Sequence, residues 1–276
     1  PGGKAIFLLP GPPNELRPMF ASQVVPHLTR LLGGAPLALV TRTLRFIDIG
    51  ESAMEDALKD LIAEQGDPSI APYAKTGEVH LRLATKAATQ GEGLARILPV
   101  EQAIRDRLGK HIYGIDATPL EMAVGQLLKE RGMHMTTAES CTGGLIAKRI
   151  TDIAGSSAYF DFGFVTYSNE AKMQLLGVPA ETLAQHGAVS EEVVGAMAQG
   201  ALTAAHAAVA VAVSGIAGPD GGTAEKPVGT VCFGLAAKDG VWTKTLHLWG
   251  SRIDIRDRTS TQALAMVRRY LLGQSV

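Results

Sequence analysis

Cysteine is nearly absent from this chain: of 276 residues only Cys141 and Cys232 are thiols, and they lie far apart. That is too few for a disulfide-dense secreted scaffold or for a four-cysteine zinc site, so a reducing cytoplasm is the expected compartment. Aromatic residues are scarce as well, at 5%. No charge of either sign dominates: 26 Lys and Arg stand against 27 Asp and Glu, which leaves no global positive excess to neutralise a nucleic-acid backbone. A strongly apolar run is also missing. The most apolar long window, residues 193–213, is Ala-rich and interrupted by Gly195, Gln199, Gly200 and His206, and reads as a helix followed by a buried strand, with no membrane span expected. The opening Pro1-Gly2-Gly3-Lys4 has neither an initiator Met nor the basic-then-apolar pattern of a signal peptide, so a fragment is expected. What is present, 46% hydrophobic and 19% charged residues, describes an ordered chain able to bury a sizeable core, and its length suggests about two domains.

Three segments emerge. Residues 1–34 read as a strand (5–9), a turn (Pro10-Gly11-Pro12-Pro13) and a helix from Asn14, too little for a domain. Asn14 suits a helix cap and Gly11 leaves room for an anion, although an ordinary strand-to-helix turn explains the same residues. Residues 35–115 read as a small α+β unit: strand 39–46, helix 51–64 ended by Gly66-Asp67-Pro68, strands 69–74 and 78–86 joined at Gly77, helix 100–108 and strand 111–113. Val79, Leu81 and Leu83 alternate with His80, Arg82 and Ala84, turning one face inward; His80 has no partner at metal-ligand spacing and reads as a solvated strand residue. Residues 116–276 read as helix 120–131 closed by Gly132, strand 133–138, helix 145–154, strand 163–167, helix 169–176 stopped by Gly177, helix 191–205, strands 207–213, 230–236 and 242–249, and helix 255–272. This alternation predicts a mixed sheet with helices on both faces.

Ligands of open α/β sheets collect beyond the carboxyl ends of strands, and three loops qualify. In residues 139–144, Ser140 follows a strand and precedes a helix, with Thr142, Gly143 and Gly144 supplying accessible backbone N–H groups. That suits a nucleophile beside an oxyanion site, and a plain helix cap by Ser140 or Thr142 suits the same residues. In residues 167–172, no His stands in a triad arrangement, so Lys172 is the candidate base. Ser168 or Asn169 caps the short helix and puts Lys172 in its first turn, where the helix dipole and partial desolvation lower the amine's proton affinity. Tyr167 can relay the proton. Equally, Lys172 can be a solvated helix lysine, Tyr167 a half-buried strand aromatic and Glu170 a simple dipole partner. In residues 214–222, Ser214, Gly215, Ile216, Ala217 and Gly218 open a Gly-rich loop able to cradle a phosphate or a planar ring, or merely to form a surface loop; Lys226 does not complete a P-loop. Arg252 and Arg256, four residues apart, would share a helix face and grip a phosphate, or pair with Asp254 and Asp257. The histidines show no HxH or HxxxH spacing, so no metal site is expected.

Three stretches together, Thr136-Thr137-Ala138-Glu139-Ser140-Cys141-Thr142-Gly143-Gly144, Gly163-Phe164-Val165-Thr166-Tyr167-Ser168-Asn169-Glu170-Ala171-Lys172 and Ser214 through Gly222 with Lys226-Pro227-Val228-Gly229-Thr230-Val231, closely resemble the CinA C-terminal domain, the nicotinamide-nucleotide amidase family. The resemblance spans about residues 118–273 almost without gaps. Leu9-Pro10-Gly11-Pro12-Pro13-Asn14-Glu15 resembles the end of that family's molybdopterin-binding-like N-terminal domain, and residues 35–115 look like its KH-like connector. The resemblance therefore implies a three-layer α/β/α catalytic domain with a mixed sheet (116–276), preceded by a small α+β, KH-like domain (35–115) and a remnant of a molybdopterin-binding-like domain (1–34). The ADP-ribose pyrophosphatase activity associated with the N-terminal domain is not carried over. The connector lacks the basic GxxG loop with which KH domains clamp nucleic acid, so a nucleic-acid partner is not expected.

The activity implied is hydrolysis of the carboxamide of nicotinamide mononucleotide to nicotinate mononucleotide and ammonia. Ser140 is expected as nucleophile, Lys172 as base and Tyr167 as relay, with an oxyanion site near Thr142, Gly143 and Gly144. Residues 214–218, Gly229, Thr230, Arg252 and Arg256 are expected to hold ribose and phosphate. No metal or organic cofactor is called for, and a homodimer is the expected assembly. Two rivals remain open: a Ser/Lys hydrolase of another small amide, and a non-catalytic nucleotide-binding, competence-related module.

Overall fold

In the computed structural model, residues 5–31, 37–64 and 66–276 are described, and their strands form two separate sheets. Ahead of both run helices α1 (Pro13–Met19) and α2 (Val25–Leu31), joined by a π-helical stretch. The helix starts at Pro13, with Pro12 and not Asn14 at the cap, because a proline at the first position gives up an N–H that has no helical partner anyway. Residues 5–9 form no strand: among the described residues they have no neighbouring strand to pair with, and Ile6 and Leu8 stand exposed.

The first sheet is built by β1 (Ala38–Phe46), β2 (Ser69–Lys75), β3 (Glu78–Ala87) and β4 (Ile112–Ile115) in the antiparallel order β2-β3-β1-β4. Its inner face carries Leu44, Phe46, Leu81 and Leu83, which pack with Met54 of α3 (Glu51–Ala57), with Leu58, and with Ile97 and Ile104. Leu58 separates α3 from α4 (Lys59–Ala63), so the expected continuous helix is two short ones. Helix α5 (Gln90–Leu108) begins well before the expected residue 100. Thr89 caps it by accepting from the Glu92 N–H, and Pro99 is carried inside the helix.

The second sheet has the order β6-β5-β7-β8-β9, with β5 (Met135–Glu139), β6 (Phe160–Val165), β7 (Val209–Gly215), β8 (Thr230–Ala237) and β9 (Gly240–His247). β6, β5 and β7 are parallel, and β8 and β9 continue antiparallel. Helices α6 (Leu120–Arg131), α7 (Leu145–Thr151) and α11 (Arg252–Leu271) cover one face; α8 (Asn169–Leu176), α9 (Ala180–His186) and α10 (Glu191–Ala205) cover the other. The mixed three-layer expectation agrees with this arrangement; α9 had no counterpart in the sequence reading. Because β5 leaves toward α7 on one face and β6 toward α8 on the other, a crevice opens at the carboxyl ends of these two strands. Among the described residues, no helix is long and apolar enough to cross a membrane.

Helix α11 also joins the two sheets. Arg268, buried, donates to the carbonyls of Ile112 (2.8 Å) and Lys110 (3.3 Å), and Arg269 pairs with Asp48 at 2.8 Å. Nearby, Lys244 of β9 lies with its Nζ 5.9 Å from the Phe233 ring centroid. Burial, reinforced by the Arg269 charge and opposed by Asp48, pushes its amine from 10.5 down to about 8. Between these two values the unfolded chain binds more protons than the folded one, so stability rises with pH across that window. Urea unfolding at several pH values across it should show that rise, and Lys244→Met should flatten it; parallel profiles for the two proteins would contradict the assignment.

Candidate active site

Ser140 and Lys172 come from the two strands that flank the crevice. Ser140 directly follows β5, its N–H held by the Val213 carbonyl at 3.0 Å, and it is 9% exposed. Lys172 lies in the first turn of α8, whose N-terminus is capped by Ser168 accepting from the Ala171 N–H at 3.1 Å. Its side chain turns inward and is 1% exposed. The Nζ reaches the carbonyls of Thr166 (2.9 Å) and Tyr167 (3.3 Å), and Ser140 Oγ at 3.3 Å. Among the described residues no carboxylate forms an ion pair with it. Burial therefore lowers its proton affinity, outweighing the pull of Cys141 and Glu170 in the other direction.

The neighbouring Cys141 is buried as well. Burial pushes its thiol up to about 12, which keeps it protonated near neutral pH.

Glu139 organises the loop, a role the sequence reading did not assign. Its fully buried carboxylate accepts from the Thr142 hydroxyl (2.7 Å) and from the N–H groups of Gly144 (3.0 Å), Ile146 (3.0 Å) and Ala147 (2.8 Å). It satisfies the free donors at the start of α7 and meets the positive end of that helix. The signal available in sequence was an acid at a strand's end just before a Gly-rich helix start. Gly143 (φ 60°) and Gly144 (φ 94°) supply the left-handed backbone that wraps the loop around this carboxylate.

This wrapping engages two of the expected oxyanion donors. The Gly144 N–H is taken by Glu139 and the Gly143 N–H by the Ser140 carbonyl at 3.1 Å. The N–H groups of Cys141 and Thr142 reach no oxygen of the described chain; their neighbour is the Cys141 thiol. Arg256 does not stand free for a phosphate either. Its guanidinium donates to the carbonyls of Cys141 (3.2 Å) and Thr142 (2.6 Å), holding the loop from the α11 side.

Tyr167 is placed differently from the expected relay. Its backbone carbonyl faces Lys172, while its hydroxyl, on a 63% exposed residue, receives a hydrogen bond from Arg252 at 3.4 Å. Lys172 reaches Ser140 directly, so a relay has no gap to bridge. Arg252 also donates to the Gly218 carbonyl at 2.7 Å, and so ties the second and third loops together at the crevice mouth.

The remaining expected ligand-binding residues are largely engaged in structure. Ser214 is buried and donates to the Ala188 carbonyl at 2.7 Å. Gly215 lies in the β7–β8 pairing, where a side chain would collide with Thr230 and Val231. Ile216 exchanges backbone hydrogen bonds with Thr230 and Gly229, and Ala217 is packed in the core. Gly229 (φ 97°) lies against the Leu248 carbonyl, and the Thr230 hydroxyl meets His247 Nδ1 at 3.3 Å. Among the described residues, no group of three or more His, Cys, Asp or Glu gathers to hold a metal ion.

Comparison with known proteins covers most of the chain. The CinA C-terminal domain model matches residues 117–271, and the damage-inducible protein CinA KH domain model matches residues 41–114. A Symbiobacterium thermophilum protein whose name describes it as competence-damage inducible is 63% identical over 281 residues, covering 99% of this chain and 66% of its own length. A CinA-like protein of Kosmotoga olearia is 45% identical, covering 98% and 65%. The chain thus spans about 65% of the length of the curated relatives it matches. Among solved structures, a CinA superfamily protein from Klebsiella pneumoniae aligns with TM-score 0.54 and 41% identity, covering 56% of this chain and 96% of that one. A competence/damage inducible protein from Agrobacterium tumefaciens aligns with TM-score 0.53 and 48% identity, covering 55% and 93%.

The Glu139 arrangement has a direct consequence. Glu139→Gln replaces a carboxylate oxygen by an amide nitrogen that faces backbone donors, so the urea midpoint should fall by the equivalent of about 1–3 kcal/mol. An unchanged midpoint would show that the carboxylate does not organise the loop.

Proposed function

We propose, from the premise that the chain belongs to the CinA family, that its C-terminal domain hydrolyses the carboxamide of nicotinamide mononucleotide by a Ser/Lys acyl-enzyme mechanism. The observation that carries this reading is the buried Lys172 amine, 3.3 Å from Ser140 Oγ with no carboxylate in ion-pair reach among the described residues. An amine in that setting can accept the Ser140 proton as Oγ attacks the carboxamide carbon. The N–H groups of Cys141 and Thr142 are the donors left to receive the developing oxyanion. Arg256 supports them, because a guanidinium on the Cys141 carbonyl polarises the peptide whose N–H belongs to Thr142.

Lys172 then returns the proton to the departing nitrogen, ammonia leaves, and water attacks the ester on Ser140 by the same proton path. The products are nicotinate mononucleotide and free Ser140. Binding of the phosphoribosyl group falls to the exposed Arg252 and the Tyr167 hydroxyl at the crevice mouth, since Ser214 is buried and Arg256 holds the 139–144 loop.

Ammonia release from nicotinamide mononucleotide, compared with unrelated small amides, tests the substrate. Ser140→Ala should lower the rate on the order of 10⁴-fold or more. The wild-type pH–rate profile should rise through a limb below the ordinary lysine value of 10.5, and Lys172→Met should remove that limb with most of the rate. If the limb persists in Lys172→Met, another group is the base. If nucleotide binds and ammonia never appears, the domain is a binding module.

A further inference from the structure

A groove runs between the two sheets, lined by no residue of the 139–144 loop. Two adjoining cavities of about 620 and 480 Å³ share Ile49, Gly50 and Gly77 of the first sheet's loops, and α11 with the end of β9 forms the opposite wall. Trp249 stands there 71% exposed. One face of its ring is covered by the Arg258 guanidinium, 3.7 Å from the centroid, and the high exposure of the residue leaves ring surface open.

The charges lining this groove are unevenly engaged. Asp48 is held by Arg269, and Glu78 accepts from the Tyr113 hydroxyl and faces His80. Among the described residues, Arg258 Nε and Arg269 Nε and Nη2, in contrast, are buried with no hydrogen-bond partner, although Arg258 attracts Asp254, and Lys75 lines the rim without an ion pair. The one other acid lining it, Glu51, stands exposed in the first turn of α3. Buried guanidinium donors without acceptors are costly, and an anion in the groove offsets part of that cost through its charge, without reaching the sealed nitrogens. An exposed indole already stacked on arginine offers a planar platform for a second ring.

We propose that this groove is a second binding site, for a phosphorylated ligand that carries a planar ring, such as a mononucleotide. The ring stacks on the open surface of Trp249, and the phosphate lies among Arg258, Lys75 and Arg269. The proposal does not depend on amidase activity. It does place the ligand three residues from Arg252, on the segment that leads into α11, so occupancy there bears on the helix that carries both Arg252 and Arg256.

The test titrates AMP, adenosine and inorganic phosphate into the full chain, following tryptophan fluorescence and heat. AMP should quench fluorescence, and Trp249→Leu should abolish the quench and weaken AMP about tenfold while leaving phosphate binding unchanged. Lys75→Ala, at an exposed position, and Arg258→Gln should weaken AMP and phosphate alike, and adenosine should bind about tenfold more weakly than AMP. Arg252→Ala, at the crevice mouth, should leave the AMP-dependent quench unchanged. The proposal is overturned if AMP does not bind, if its affinity is indifferent to Trp249→Leu, Lys75→Ala and Arg258→Gln, or if Arg252→Ala alone abolishes binding, which would put the ligand in the catalytic crevice.

Discussion

The site turns on one desolvated amine. Lys172 is buried in a pocket that offers its Nζ backbone carbonyls and the Ser140 hydroxyl, with no carboxylate in ion-pair reach among the described residues. A lysine near water would stay protonated and inert as a base; one paired with an acid would be held in the charged form. The sheet topology makes this isolation possible. Ser140 and Lys172 follow neighbouring parallel strands whose connections leave on opposite faces, and the crevice between them is deep enough to bury both groups.

Glu139 is the complement of that amine. It lies one residue before Ser140, carries the charge that Lys172 lacks a partner for, and yet is turned wholly toward the α7 N-terminus. Four donors keep its carboxylate on the helix side of the loop, and Arg256 secures the same loop from α11. Ser140 thus sits on a backbone fixed from two directions, while the Glu139 carboxylate stays off the Lys172 amine.

Much of this was legible in the sequence, for identifiable reasons. Helices 120–131, 169–176 and 191–205 agree with their observed bounds because glycine stops or serine caps mark at least one end of each. Ser140 and Lys172 were legible as a pair because strand ends were recognisable and the resemblance covered both loops. What was not legible depends on which partner each polar atom finds in three dimensions. Gly143 and Gly144 look like free donors until Glu139 is seen to fold back on them; Ser214 looks like a ligand contact until α9 and α10 bring Ala188 over it; Tyr167 looks like a relay until Arg252 takes its hydroxyl. Residues 5–9 failed as a strand for a related reason, since strand preference needs a neighbour to pair with. Helix α5 starts before the expected residue 100 because Thr89 caps it at Gln90 and a helix with a buried face tolerates Pro99.

The central claim is a covalent one: that Ser140 carries the acyl group while Lys172 handles the proton. Rapid acid quench of the enzyme mixed with nicotinamide mononucleotide, followed by intact mass and peptide mapping, tests it most directly. The account predicts a transient adduct equal to the substrate less ammonia, located on Ser140 and absent from Ser140→Ala. Ammonia release at the wild-type rate from Ser140→Ala, or an adduct mapped to Cys141, would contradict it.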